Sequence, residues 1–230
     1  MAARKDRTLE DIVNDIAETY SIGWWSHLNL YLAATGAVPA GAISFKISAN
    51  AASRKKLLAS FEKEAKRVHD DVLYKLHTEL GLYASSIGIN LHDNFWMGRR
   101  MTSAYLKFSV SMDKYDQCRH MYAKNDYDLG RASGFPLPAV LAFGEKVNGR
   151  AWNMSYIYSI IDSKIRKDPC AYIYQAYAMW IPEGVDPSTG HFTPSSRDRC
   201  VEIMELVRSR NPKLAKIVEK EFMDRYNSKD

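Results

Sequence analysis

A chain of 230 residues, 46% hydrophobic and 26% charged, is long enough to bury a full core and is unlike a disordered or fibrous protein. Its 32 basic and 27 acidic residues leave a net charge of +5 and are interleaved, as in "FEKEAKRVHDD". Composition therefore admits an anionic partner without requiring nucleic acid. Three widely spaced cysteines, Cys118, Cys170 and Cys200, exclude a disulfide framework or zinc ribbon and suit reduced thiols.

In chain order, Thr8 followed by Asp11 forms a capping box for a helix with Leu9, Ile12, Val13, Ile16, Ala17 and Tyr20 at helical spacing. A second helix is predicted over Trp24–Thr35, stopped by Gly36. "ISFKIS" (Ile43–Ser48) alternates as a short strand. From about Ala52 to Leu80, Leu57, Phe61, Ala65, Val68, Val72, Leu76 and Leu80 recur every three or four residues, and Gly81 closes this long helix. Ser85–His92 and Ala104–Ser111 alternate as two further strands. Helices are then predicted over Asp113–Ala123, Asp126–Ser133, Pro136–Lys146 and Ala151–Ile165. Asp168-Pro169 reads as the cap and first turn of a helix through Trp180. Two more helices follow, about Ser196–Arg208 and one opened by Asn211-Pro212, with Leu214, Ile217, Val218 and Phe222 on one face.

These elements predict an α+β protein, mostly helical, forming a single domain over 1–230. Its small sheet lies near residues 43–48, 85–92 and 104–111, and the N-terminal helices, about 7–36, are candidates for an appendage. The most apolar stretch, "LYLAATGAVPAGAI", is broken by Gly36, Pro39 and Gly41 and is too short for a bilayer. The opening residues lack a signal peptide's apolar core, so the expectation is a cytoplasmic protein with no membrane partner.

Catalytic and metal signatures are sparse. Asp116 with His120, and Asp70 with His77, fall on common helical faces, but neither pair has a third ligand at useful spacing. Both read as solvated surface, and no metal is expected. There is no G-x-S-x-G elbow, P-loop or dinucleotide motif, so no cofactor is expected either. Cys170 follows Pro169 beside Ala171, Ile173 and Ala176 and reads as a buried structural thiol.

Two segments carry more. In "GHFTPSSRDRC" (Gly190–Cys200), a loop with His191 runs into a helix opened by Ser195 or Ser196, and Asp198 stands in the capping-box position for Ser195. Two readings stand: Ser195 and Asp198 simply cap the helix while Arg197 and Arg199 face water, or the free amides of such an end, with the two arginines, hold an anion. In "DYDLGRASGFPLPAVLAF" (Asp126–Phe143), Gly134 suits a left-handed helix end. Phe135 packs beneath it, Pro136 opens the next helix, and Pro138 lies in the new first turn.

Ser109–Phe143 resembles a family of uncharacterised archaeal and bacterial proteins, a domain of unknown function. Its pattern is a strand ending in a Ser-x-Asp-like turn, a helix, Leu-Gly, Gly-Tyr-Pro-x-Cys-Cys-Val and a Phe. Leu129-Gly130, Gly134-Phe135-Pro136, Val140 and Phe143 match in order and spacing. "HFTPSS" (His191–Ser196) echoes the family's later His-x-Pro-Cys-Ser segment with one extra residue. The family's paired cysteines are Pro138 and Ala139 here, and Ser195 replaces the later one. Any thiol chemistry of the family is therefore lost, and the resemblance implies no activity of its own.

The expectation is an enzyme or ligand-binding protein for an anionic small molecule, with a pocket between the 131–139 turn and the 190–200 loop. His191 would be its acid–base group. Arg131 and Arg197 would hold the anion, with Gly134, Phe135, Pro136, Ser195 and Ser196 lining the site. One of the fourteen tyrosines, Tyr172 or Tyr174 among them, would complete the lining. The alternatives are an RNA-associated accessory protein using Arg99-Arg100, Arg54-Lys55-Lys56 and Trp96, and an interaction protein with an aromatic homo-oligomer interface.

Overall fold

The computed structural model describes residues 7–49, 54–92, 102–144, 162–178 and 194–227. It has the expected α+β composition, mostly helix with one small antiparallel sheet. The chain divides into two compact units, Met1–Met121 and Tyr122–Asp230. Among the described residues, no helix is long and apolar enough to cross a membrane.

The first unit opens with α1 (Leu9–Thr19), whose capping box is present in full. The Asp11 amide donates to Thr8 Oγ1 at 3.1 Å, and the Thr8 amide donates to Asp11 Oδ2 at 3.1 Å. Helix α2 (Trp24–Ala34) is buried continuously from Ser26 through Ala34, and its buried polar side chains are bonded: His27 Nε2 meets Asn14 Oδ1 at 2.9 Å, and Asn29 Nδ2 donates to Trp25 O at 2.9 Å. It lies against strand β1 (Gly41–Ala49), where the Ser26 hydroxyl accepts the Ser44 amide at 3.0 Å and so satisfies an edge group. Val13, Ile16 and Ala17 of α1 are buried in this unit as well.

Helix α3 (Arg54–Thr78) follows, then strands β2 (Tyr83–His92) and β3 (Thr102–Ser111). The sheet order is β1-β3-β2 and both pairings are antiparallel. A bulge between Ser86 and Gly88 leaves Ile87 out of register. Register pairs Ile43 with Phe108 and Phe45 with Leu106, which gathers these side chains on one face. Val68, Val72 and Leu76 of α3 are buried, and α3 packs on the sheet, with the His69 ring 5.4 Å from that of Phe108. After β3, the Ser111 hydroxyl accepts the Asp113 amide at 3.0 Å and turns the chain into α4 (Lys114–Met121).

The second unit holds α5 (Asp126–Ala132), α6 (Leu137–Gly144), a helical segment at 162–167, a 3₁₀ helix (Ile173–Tyr177), α7 (Pro194–Arg210) and α8 (Pro212–Asn227). Asn211 caps α8, accepting the Leu214 amide at 3.1 Å, and Leu214, Val218 and Phe222 are buried. The Tyr226 hydroxyl donates to Asp162 at 2.8 Å and ties 162–167 to α8.

Of the helix expected from Asp168 to Trp180, the described residues, to Ala178, hold a 3₁₀ helix and no α-helix. Asp168 does accept the Ala171 amide at 3.0 Å, but the bonds that follow join residues three apart. Tyr172 bonds back to Pro169, Ile173 to Cys170, Gln175 to Tyr172 and Ala178 to Gln175. Tyr174 through Ala178 are all buried. Cys170 is exposed in this turn, not buried as expected.

Candidate functional site

The turn after α5 is a complete Schellman ending. The Phe135 amide donates to Gly130 O at 3.0 Å and the Gly134 amide to Arg131 O at 3.2 Å, with Gly134 at φ +73°. Phe135 and Pro136 are half-buried, and Pro136 O accepts the Val140 amide at 3.1 Å as α6 begins. Arg131 is exposed on the last turn of α5. Ala132, Ser133, Ala139 and Val140 are buried about this junction, and α6 then rests against α7 within the same unit.

Helix α7 starts earlier than the sequence reading has it. Pro194 takes the first helical position, so Ser195 is an exposed first-turn residue and not the cap. Ser196 is only 2% exposed, and its Oγ has no hydrogen-bond partner among the described residues. Arg197 is exposed and lays its guanidinium 5.8 Å from the centroid of the Tyr174 ring. His191 lies outside the described residues.

Beneath this helix end lies the 3₁₀ segment, which packs on both α7 and α8. Gln175, 4% exposed, also carries a side-chain oxygen without a partner. Its side chain bonds the Tyr174 hydroxyl, whose pKa is raised by burial against the opposing effects of Gln175 and Arg197. Tyr174 also feels Cys200, a buried residue whose thiol is pushed up to about 12 by desolvation, so Cys200 is inert packing. Ser196, Arg197, Tyr174 and Gln175 thus collect on two packed elements. Two of them, Ser196 and Gln175, are buried polar groups without a partner among the described residues, an arrangement that costs stability unless something meets them.

Composition singled out Tyr174 only as one of many tyrosines, and Gln175 gave no sequence signal. It is a lone amide in an aromatic run, and its burial depends on the 3₁₀ geometry. Arg99, Arg100 and Trp96 lie outside the described residues, as do the side chains of Arg54, Lys55 and Lys56.

Of the two Asp–His pairs, both expected as solvated surface, the one with His120 departs from that reading, because burial turns this side chain inward. His120 is buried and shares a hydrogen bond of 2.8 Å with Ser109, while Asp116 pairs with Arg119 at 3.7 Å. Asp70 meets His69 at 3.1 Å, and the His77 ring stands 6.5 Å from that of Tyr83. No group of three or more metal-ligating side chains occurs among the described residues. No family model, curated protein or solved structure matches the chain.

Proposed function

We propose that this protein binds an anionic small molecule, a carboxylate or phosphate ester, at the amino-terminal end of α7. The observation that carries the reading is the buried hydroxyl of Ser196, without a partner among the described residues, in the first turn of a helix whose amino-terminal end carries positive potential. Arg197 supplies a guanidinium and Gln175 a second polar group. Arg131 and the Gly134–Pro136 turn belong to the same unit and border the site in this reading. His191, three residues before Pro194, is the acid–base group for a turned-over ligand, its ordinary pKa lying near neutrality. The resemblance of Ser109–Phe143 to the Gly-Tyr-Pro family belongs to this proposal, with the cysteine chemistry of that pattern replaced.

The test is thermal unfolding of wild type, Ser196→Ala, Arg197→Ala and His191→Ala, with inorganic phosphate and a panel of small mono- and dicarboxylates at constant ionic strength. A ligand at one hundred times its Kd stabilises the native state by about 2.7 kcal/mol. Ser196→Ala removes an unsatisfied buried hydroxyl, so the free protein should melt higher while the ligand-dependent gain disappears. A Ser196→Ala protein that melts lower and keeps the gain would make that hydroxyl structural and overturn the reading.

A further inference from the structure

The first unit contains a cavity of about 320 Å³, at the lower end of the range of small-ligand pockets, about 300–1,000 Å³. Its walls include Tyr20 after α1, Phe45 and Lys46 of β1, and Glu64, Arg67 and Val68 of α3.

Phe45 and Lys46 are successive residues of a strand whose pairing with β3 runs without a bulge, so their side chains leave opposite faces of the sheet. Phe45 is buried, with the Tyr20 ring edge-on to it at 5.6 Å between centroids. The Lys46 side chain leaves on the other face, and what this residue brings to the cavity is its main chain. The direction of that main chain follows from Ser44. The Ser44 amide points away from β3 and donates to Ser26 Oγ at 3.0 Å. Along an antiparallel strand the peptide groups repeat their direction every two residues. The N–H and C=O of Lys46 therefore also point outward, at the edge that β1 forms in the order β1-β3-β2.

The remaining walls are apolar or neutral in sum. Val68 is buried, and the Tyr20 ring is fixed by its hydroxyl, which donates to Asp71. Arg67 grips Glu64 with two bonds, of 2.6 and 3.0 Å, so opposite charges stand side by side on the α3 wall. An occupant thus meets a main-chain donor and acceptor on one residue, next to aromatic surface and a wall without net charge. A primary amide on a flat ring matches all three, because its N–H and C=O can lie on one side. An extended peptide adding a strand to this edge is stopped at Ser44, whose outward amide Ser26 already takes. We propose that this cavity binds a small neutral aromatic amide, its amide edge paired with the main chain of Lys46 and its ring against Tyr20 and Phe45.

The experiment titrates the full chain with benzamide, followed by amide chemical shifts and calorimetry. Benzamide should bind saturably and move the Lys46 amide together with those of Tyr20 and Phe45. N,N-dimethylbenzamide keeps the ring and loses the donor, and should bind about tenfold more weakly, the worth of about one hydrogen bond. Benzoate and benzylamine each bring a charge that the walls do not match and should bind at least as weakly. Lys46→Met changes only the side chain on the far face and should leave the benzamide affinity unaltered. Thr19, exposed at the end of α1, also lines the cavity, so Thr19→Trp should fill it and abolish binding while circular dichroism stays as in wild type. Absence of saturable binding, equal affinity for N,N-dimethylbenzamide or for either charged analogue, loss of binding in Lys46→Met, or full binding to Thr19→Trp would overturn the proposal.

Discussion

Gly130 of α5 and Val140 of α6 are packed backbone to methyl. A Cβ placed on Gly130 would stand 2.9 Å from Val140 Cγ2 and 3.4 Å from Cγ1, with the Phe135 ring 3.6 Å away. Alanine in a helix interior is ordinarily favoured over glycine by about 1 kcal/mol. Here the nearest atom is a terminal methyl of a β-branched side chain with little freedom at χ1, and overpacking of this kind costs about 1–3 kcal/mol. Gly130→Ala should therefore destabilise the protein despite its better propensity. In Gly130→Ala/Val140→Ala the added methyl fills space that Val140 vacates, so the double variant should be more stable than the sum of the singles by about 1 kcal/mol. Urea denaturation of the four proteins in the cycle measures this directly.

Ser21 supplies the opposite case. It follows α1 in a left-handed conformation, φ +48°, with its amide donating to Glu18 O at 3.2 Å and the next amide, Ile22, to Ala17 O at 3.0 Å. These are the two bonds of a Schellman ending with serine where glycine is usual. The left-handed region costs a side-chain-bearing residue about 1 kcal/mol or more. Ser21→Gly should raise stability by about 0.5–1 kcal/mol, since glycine's larger unfolded-state entropy offsets part of the relief. The rise in melting temperature tests this, and a fall would show that the serine side chain stabilises the turn.

The contrast between these positions explains what the sequence could reveal. Gly36, Gly81 and Gly134 all take positive φ at the helix ends where glycine predicts it, and the Thr8–Asp11 box forms as spelled. Local signals of this kind are carried by the residue itself. Ser21 adopts the same conformation without the glycine that would have announced it. The 3₁₀ run at Ile173–Tyr177 was hidden for a related reason, since Asp168-Pro169 makes its local cap and the packing against α7 and α8 then imposes a tighter winding. That Ser196 and Gln175 are buried with polar atoms unmet by any described residue is a property of neighbours brought in by tertiary structure, and no spacing rule encodes it. For the same reason, the four-residue step from Asp116 to His120 suggested a shared surface, whereas His120 turns inward to Ser109.

That inward turn makes His120 an acid sensor for the first unit. Burial lowers its pKa below the usual histidine value of about 6.5, so the imidazole is neutral in the fold. As pH falls through about 6.5 the unfolded chain takes up a proton that the folded one refuses, and stability declines until the lowered native pKa is reached. Above neutrality the group contributes no pH dependence. The slope lost on replacing it cannot exceed one proton, about 1.4 kcal/mol per pH unit. Urea midpoints between pH 5 and 8 should decline less steeply on the acid side for His120→Gln than for wild type. Parallel profiles would assign the acid sensitivity to other groups.

In the second unit, Glu219 holds the 3₁₀ segment to α8 by accepting twice at one oxygen. The hydroxyl of the fully buried Tyr177 donates to Glu219 Oε1 at 2.7 Å, and Arg208 Nε donates to the same atom at 2.7 Å. Desolvation and the neighbouring carboxylate raise the Tyr177 pKa, so the phenol is a permanent donor. Arg208 is largely solvated, and an exposed ion pair of this type is worth about 0–1 kcal/mol. Tyr177→Phe removes one bond to a charged acceptor and should cost about 1.5–3 kcal/mol. Glu219→Ala strands the phenol's donor in the core and should cost at least as much, whereas Arg208→Ala should cost under about 1 kcal/mol. Glu219→Gln retains an acceptor for Tyr177 and should fall between Arg208→Ala and Glu219→Ala. Chemical denaturation of these four variants tests that ordering; a Glu219→Ala protein as stable as Arg208→Ala would mean that the Tyr177 hydroxyl finds another acceptor.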